Sequence, residues 1–221
     1  MDFDTRDFVP SLRLAWQTAL AIPATIIMAW LATAAVGIAT DVLIEQSPRA
    51  SGPLMIGYGI GLSAIQLWVT RAALAANGFR TREGWRVLGI YVQGILIGLG
   101  VLVGLILFIL PGLYVFARWY LAAPILLFHG GGKREAMRRS WDLLERRWPA
   151  ALAIGLIMFA VSIAPVALGL FWTPAVTANY WAVSITTNFI GAIGTVASYI
   201  AAVTLLLTIE RPVAGYQEIF S

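Results

Sequence analysis

The chain is predicted to be all-α: a polytopic membrane bundle of six transmembrane helices, with an amphipathic helix lying in the cytoplasmic interface. Three observations predict it. The 221 residues are 60% hydrophobic and only 12% charged, against about 25% charged in ordinary soluble domains, and the mean hydropathy is +0.83. From Val87 to Phe128 the only charged side chain is Arg118, a longer apolar run than a soluble core can hide. The other basic residues fall in short segments between apolar runs, which is the topology signal of a membrane protein.

A spanning helix needs roughly 20 apolar residues. Spans are expected over about 12–40, 52–76, 87–110, 113–128, 150–171 and 181–209, within one integral membrane domain over 1–221 and no attached soluble domain. The first is read as an uncleaved span. Ala32-Thr33-Ala34 faintly resembles a cleavage site, but the apolar run is too long for a signal-peptide core, and Asp2, Asp4 and Asp7 precede it. The third and fourth are expected to pair as a hairpin about Pro111-Gly112, because proline sets φ and glycine accepts positive φ. The fourth, Leu113 to Phe128, rises only ~24 Å at 1.5 Å per residue. It is expected to stand upright, to thin the bilayer, or to extend past Phe128.

Orientation follows from the arginines. With the N-terminus in the cytoplasm, Arg6, Arg13, Arg71, Arg80, Arg82, Arg86, Lys133, Arg134, Arg138, Arg139, Arg146, Arg147 and Arg211 fall inside or at the inner boundary, and Arg49 alone falls outside. The reading is N-in and C-in. The outer connections are then Asp41–Ser51, the Pro111-Gly112 turn and Trp172–Tyr180. Trp172, Tyr180 and Trp181 would anchor the outer interface, and Trp16, Trp85, Trp141 and Trp148 the inner one.

Lys133–Trp148 differs in kind. Ala136, Met137, Trp141, Leu144 and Trp148 share one helical face. Arg134, Arg138, Arg139, Asp142, Glu145 and Arg146 occupy much of the rest. A basic amphipathic helix with tryptophans on its apolar side is expected to lie in the membrane interface, reached through a bend at Gly130-Gly131-Gly132.

Candidate sites are few. Arg118 is the foremost: a guanidinium inside a membrane costs several kcal/mol, so it needs water, carbonyls or an anion. No carboxylate is expected in the six cores, with Asp41 and Glu45 outside and Glu210 at the inner edge. Gln66, Gln93, Asn188 and carbonyls near Pro111 or Pro124 are its internal options. It serves either as a structural clamp reaching the outer interface or as a site for an anionic group. Arg134, Arg138, Arg139, Arg146 and Arg147 are candidates for anionic headgroups. Gly57 and Gly61, Gly94 and Gly98, and Gly100 and Gly104 have the spacing that lets helices approach closely in lipid, either within the bundle or against a partner. Pro111, Gly112 and Pro124 are read as turn and kink residues.

Several chemistries lose their residues. Cysteine is absent, which removes disulfides and thiolate catalysis. His129 is the lone histidine, too few for a histidine-based metal cluster, and is expected to be solvated or bonded to backbone. His129-Gly130-Gly131-Gly132 has no G-x-S-x-G partner. Gly132-Lys133 lacks the rest of a Walker A motif. Glu135, Asp142 and Glu145 read as local ion pairs. No internal repeat supports an inverted-repeat transporter. No cofactor or metal is expected, and the basic residues point to membrane phospholipids rather than nucleic acid.

The run from Leu110 to Trp148 resembles a bacterial membrane-domain family that includes the integral membrane domain fused to some glycerophosphoryl diester phosphodiesterases. The matching residues are Pro111, Gly112, Arg118, Pro124, Gly130, Glu135, Ala136, Ser140 and Trp141. The position of His129 is often acidic in such proteins. The resemblance implies a stand-alone membrane domain of a bacterial inner membrane, without the soluble catalytic domain of the fused relatives. The expected role is therefore non-catalytic: a module that binds lipid, a membrane-protein partner or a second copy. A transporter or channel for a small anionic or lipid-like solute, and a structural subunit or assembly factor of a larger complex, stand as alternatives.

Overall fold

The computed structural model describes residues 8–79, 81, 87–171 and 180–219, with side chains described for 8–79, 81, 87–162 and 181–210. Arg6, Arg80, Arg82, Trp85, Arg86, the Arg211 side chain and the connection over 172–179 with Trp172 lie outside the described residues. Those described form nine α-helices and one 3-10 turn, with no strand among them: α1 (Phe8–Ala21), α2 (Pro23–Gln46), the turn Pro48–Ala50, α3 (Ser51–Ala76), α4 (Val87–Leu107), α5 (Ile109–Trp119), α6 (Ala122–His129), α7 (Lys133–Leu143), α8 (Trp148–Phe171) and α9 (Tyr180–Ile219). Five segments are long and apolar enough to cross a membrane: Pro23–Gln46, Pro48–Ala76, Val87–Leu107, Ile109–His129 and Trp181–Glu210. The apolar stretch Trp148–Ser162 of α8 adds a shorter one.

Prolines place the breaks. A proline has no N–H to give the carbonyl four residues back, and its ring crowds that carbonyl. Pro23 therefore interrupts the first expected span, 12–40. The chain bends at Ile22 (φ −129°, ψ 47°), and Pro23 opens α2 at its first position. The expected turn at Pro111-Gly112 is also displaced. Pro111 faces the carbonyl of Leu107, where α4 ends, and the turn is the single extended residue Phe108 (φ −164°, ψ 148°). Pro111 and Gly112 then sit in the first turns of α5, where a missing N–H costs little. This lengthens the fourth span to Ile109–His129 and removes its shortness. Pro124 likewise breaks the helix at Tyr120 and Leu121, separating α5 from α6. The expected amphipathic helix over 133–148 stops at Leu143. Pro149 cannot continue it, and with Trp148 it opens α8.

At the other end of the bundle α2 runs to Gln46, so the connection expected at Asp41–Ser51 shrinks to Ser47 and the turn Pro48–Ala50. α3 closes with a hydrogen-bonded cap. The Phe79 N–H donates to the Leu74 carbonyl and the Gly78 N–H to the Ala75 carbonyl, with Gly78 at φ +83°.

α9 is the axis. It spans ~60 Å at 1.5 Å per residue and packs against α1, α2, α3 and α8. From Ala201 to Leu207 every side chain is buried, as expected of a helix apolar on all sides. Leu67 and Leu74 of α3, Leu121, Ile125, Leu126 and Leu127 around α6, Leu144, and Ile154 of α8 complete that core. By contrast α4 is mostly exposed, and the tip Ile106-Leu107-Phe108-Ile109-Leu110 projects with no polar side chain.

The glycines divide by what they touch. Gly104 and Gly112 carry the α4–α5 hairpin: a Cβ on Gly104 would lie 2.7 Å from the Gly112 Cα. Gly100 lies under the Trp119 ring, and Gly61 touches Val36. Gly57, Gly94 and Gly98, expected to pack, have open space where a Cβ would stand. Gly57 and Gly98 stand on exposed faces, and Gly94 borders a cavity beside α5 and α9. The closest crossing of α8 and α9 uses glycines outside that expectation, Gly191 and Gly194, against the Ser162 and Met158 backbone.

Gly104→Ala is therefore expected to destabilise the protein by about 1–3 kcal/mol through overpacking. Gly98→Ala, on an open helix face, should be neutral or slightly stabilising. Thermal unfolding of the two variants in one detergent checks the contrast, and equal midpoints would contradict it.

Candidate functional site

The site is built where α5, α7 and the start of α8 meet. Pro124 ends α5 just after Trp119, which leaves Arg118 in the last turn of that helix. The three glycines after α6 turn the chain back: Gly130 and Gly131 take φ of +73° and +86°, which side chains rarely adopt. α7 then lies against α5 and α6. It buries Ala136 and Ser140, with Leu144 just beyond its end, and half-buries Met137 and Trp141. Arg134, Glu135, Arg138, Arg139, Asp142, Glu145 and Arg146 are exposed, and Arg147 is half-buried.

Arg118 lies beneath this helix, 4% exposed. Its Nη1 donates to the Tyr114 hydroxyl at 3.1 Å, one turn back on α5. Its Cζ stands 4.5 Å from the Trp141 ring centroid and 5.5 Å from that of Tyr114. Its Nε is buried with no hydrogen-bond partner. The Arg118 carbonyl accepts from the Ser140 hydroxyl at 2.8 Å, so one residue holds α7 through both its side chain and its backbone. The Tyr114 ring meets Trp141 and Trp148 edge-on at 5.7 and 5.4 Å, and Trp119 lies 5.9 Å from Trp141. The side chains foreseen as partners for Arg118 lie elsewhere: Asn188 bonds Asp41, and Gln66 and Gln93 line a separate cavity.

A desolvated cation over an aromatic face is worth ~2 kcal/mol, and a hydrogen bond from a charged donor roughly 1.5–3 kcal/mol. Together these offset the burial of the guanidinium without a carboxylate. Trp141 and Ser140 were legible as part of a motif. Their role as partners of Arg118 was not, because i to i+22 contacts carry no periodicity.

Two further polar clusters tie the ends of the bundle. Glu210 of α9 accepts from Arg139 at 3.1 Å and pairs with His129 Nε2 at 3.0 Å. His129 is thus bound to a side chain, where solvent or backbone was expected. At the opposite end of α9, Asp41 lies within α2 and half-buried, where an outer loop was expected. Its Oδ2 accepts from the Ser184 hydroxyl at 2.7 Å and the Asn188 amide at 2.8 Å. Gly37, one turn before Asp41, leaves the room that Asn188 occupies. The signal available in the sequence was the spacing of Ser184 and Asn188, one turn apart on α9.

Comparison with protein-family models, with curated proteins and with solved structures finds no match to this chain. The site is read from its own geometry.

Trp141→Leu and Arg118→Met should each free α7 from the bundle. Trypsin cleavage between Lys133 and Arg147 is expected to accelerate about tenfold, the equivalent of 1.4 kcal/mol. Arg118→Lys should not restore protection, since an ammonium lacks the planar face that stacks on Trp141. Unchanged cleavage in both variants would mean that α7 is held by its apolar face alone.

Proposed function

We propose that this is a non-catalytic, six-span inner-membrane protein, N-in and C-in, whose α7 displays a fixed basic surface to anionic lipid headgroups at the cytoplasmic interface. α8 serves as the sixth span. The observation that carries this reading is the two-sidedness of α7. Ala136, Ser140 and Trp141 are locked onto the bundle by Arg118, while Arg134, Arg138 and Arg146 stand outward. Locking matters because an ordered helix presents its charges without the entropic cost of ordering at binding. Each basic residue near an anionic surface contributes about 1 kcal/mol. Arg118 acts as the clamp of this surface, in preference to being an anion site of its own. The stretch 110–148 that resembles the phosphodiesterase-associated membrane domains includes α7, with Glu135, Ala136, Ser140 and Trp141 among the matching residues.

A partner-binding role is favoured by one separate observation: Gly57 of α3 and Gly94 and Gly98 of α4 leave open space on helices long enough to span. A second copy or another membrane protein would find a close-approach surface there.

Replacing Arg134, Arg138 and Arg146 together by Gln should lower the ratio of phosphatidylglycerol to phosphatidylcholine retained from mixed micelles at least tenfold in native mass spectrometry. An unchanged ratio would refute the lipid-surface reading. Orientation has its own check, because the chain holds no cysteine. In intact cells, Arg49→Cys should react with a membrane-impermeant maleimide, and Arg146→Cys should react only after lysis.

A further inference from the structure

The geometry points to a binding site for a small uncharged ring compound bearing a hydroxyl or carbonyl group, in a cavity between α3, α4, α5, α6 and α9. The cavity measures about 170 Å³, and its lining includes Gln66, Gln93, Phe116, Trp119, Tyr120 and Ser198. Gln93 is 1% exposed, and neither its Oε1 nor its Nε2 has a hydrogen-bond partner. An amide buried this way costs free energy of roughly 1–3 kcal/mol by mutational measures. Leucine at the same place would pack the α4 face at no such cost. The unpaired amide offers two N–H donors and an acceptor oxygen, which a hydroxyl or carbonyl would engage.

Size, walls and charge narrow the class. A cavity of ~150 Å³ accommodates one benzene ring, so this one admits a single six-membered ring with one polar substituent. Phe116, Trp119 and Tyr120 supply aromatic walls, against which rings stack or meet edge-on. No lining residue carries a charge, so nothing there would neutralise an ion. The Tyr120 hydroxyl already donates to the Ser198 carbonyl at 3.2 Å, and Gln93 is the lining side chain whose polar atoms are fully buried and without a partner.

The position is built into the fold. The cavity lies beside the break between α5 and α6, where Pro124 has no N–H for the Tyr120 carbonyl. Irregular backbone at membrane depth is tolerated where it borders a cavity. Gly94 borders the same space and has nothing within 4 Å of where its Cβ would lie, so the room exists because a side chain is missing. The site is independent of the basic surface of α7 and stands or falls separately.

The test uses 4-fluorophenol and fluorobenzene as probes, followed by fluorine NMR with the full-length protein in micelles, against protein-free micelles as the blank. The wild type should bind 4-fluorophenol saturably and about tenfold more tightly than fluorobenzene. Gln93→Leu should erase that preference while still binding both rings. Gly94→Leu, which fills the space, should abolish binding of both. Equal affinity of the wild type for the two probes, a preference that survives in Gln93→Leu, or no saturable binding at all would overturn the proposal. In the last case the amide is satisfied by water alone.

Discussion

A guanidinium removed from water without an acid beside it is the costliest arrangement in this bundle, and the fold around it is shaped by that cost. Arg118 has no room for a counter-ion because α7 covers it. It has a tyrosine hydroxyl on its own helix, a tryptophan face on the next, and its own carbonyl tied to that same neighbour. The consequence reaches α8. Tyr114 orients Trp141 and Trp148 together, so the entry of the chain into α8 is set by the ring that also serves Arg118. In lipid, where apolar contact between helices gains little over contact with acyl chains, such polar and aromatic fixing gives a packing its uniqueness.

The same logic orders the rest of the polar side chains. Two clusters of them pair across elements distant in sequence, and α9 takes part in both: Asp41 with Ser184 and Asn188 near its start, and Glu210 with Arg139 and His129 near the end of its described side chains. Between them most of α9 is apolar, with threonine hydroxyls that turn back on their own helix, as Thr204 does to Ile200, and with Ser198 bound to the Tyr120 hydroxyl. Register along α9 is therefore specified at both end clusters and at the Tyr120–Ser198 bond between them, and the apolar contacts need only fit. Gln93 stands outside this economy, polar and buried without a partner.

Five long apolar segments were legible in the sequence because they depend on the lengths of apolar runs, although the first expected span breaks at Pro23 and the fifth is matched only by the shorter apolar stretch Trp148–Ser162. Their ends were less so, for a specific reason. Proline and glycine were read as marking the place where the chain turns, whereas proline acts on the carbonyl four residues earlier. Pro111 thus ends α4 at Leu107 and moves the turn to Phe108, and Pro124 acts at Tyr120. Periodicity grouped Ala136, Met137, Trp141 and Leu144, which the chain turns toward α5 and α6, but not Ser140, which is buried with them; Arg118 stood out as the lone charge in its run. Tyr114, one turn back on the same helix, lay within reach of periodicity, but Ser140 and Trp141 did not, since they lie 22 and 23 residues on, across two helix breaks. Among the glycines, spacing alone did not separate Gly104, pressed against Gly112, from Gly98, open on its face. Both satisfy the same pattern, and only the crossing of helices decides which one is needed.

The α4–α5 hairpin shows how far this argument extends. Its turn is made by one extended residue, and the Phe108 N–H still reaches the Gly104 carbonyl at 3.0 Å, so the backbone gives up few hydrogen bonds there. Its side chains, Ile106 to Leu110, are all exposed and apolar. A loop built to stand in water would carry polar residues, and one built with a frayed backbone could not remain in hydrocarbon. A tight, bonded turn with an apolar surface suits the boundary between acyl chains and headgroups. Proline and the Gly104–Gly112 contact together fix the shape of the hairpin.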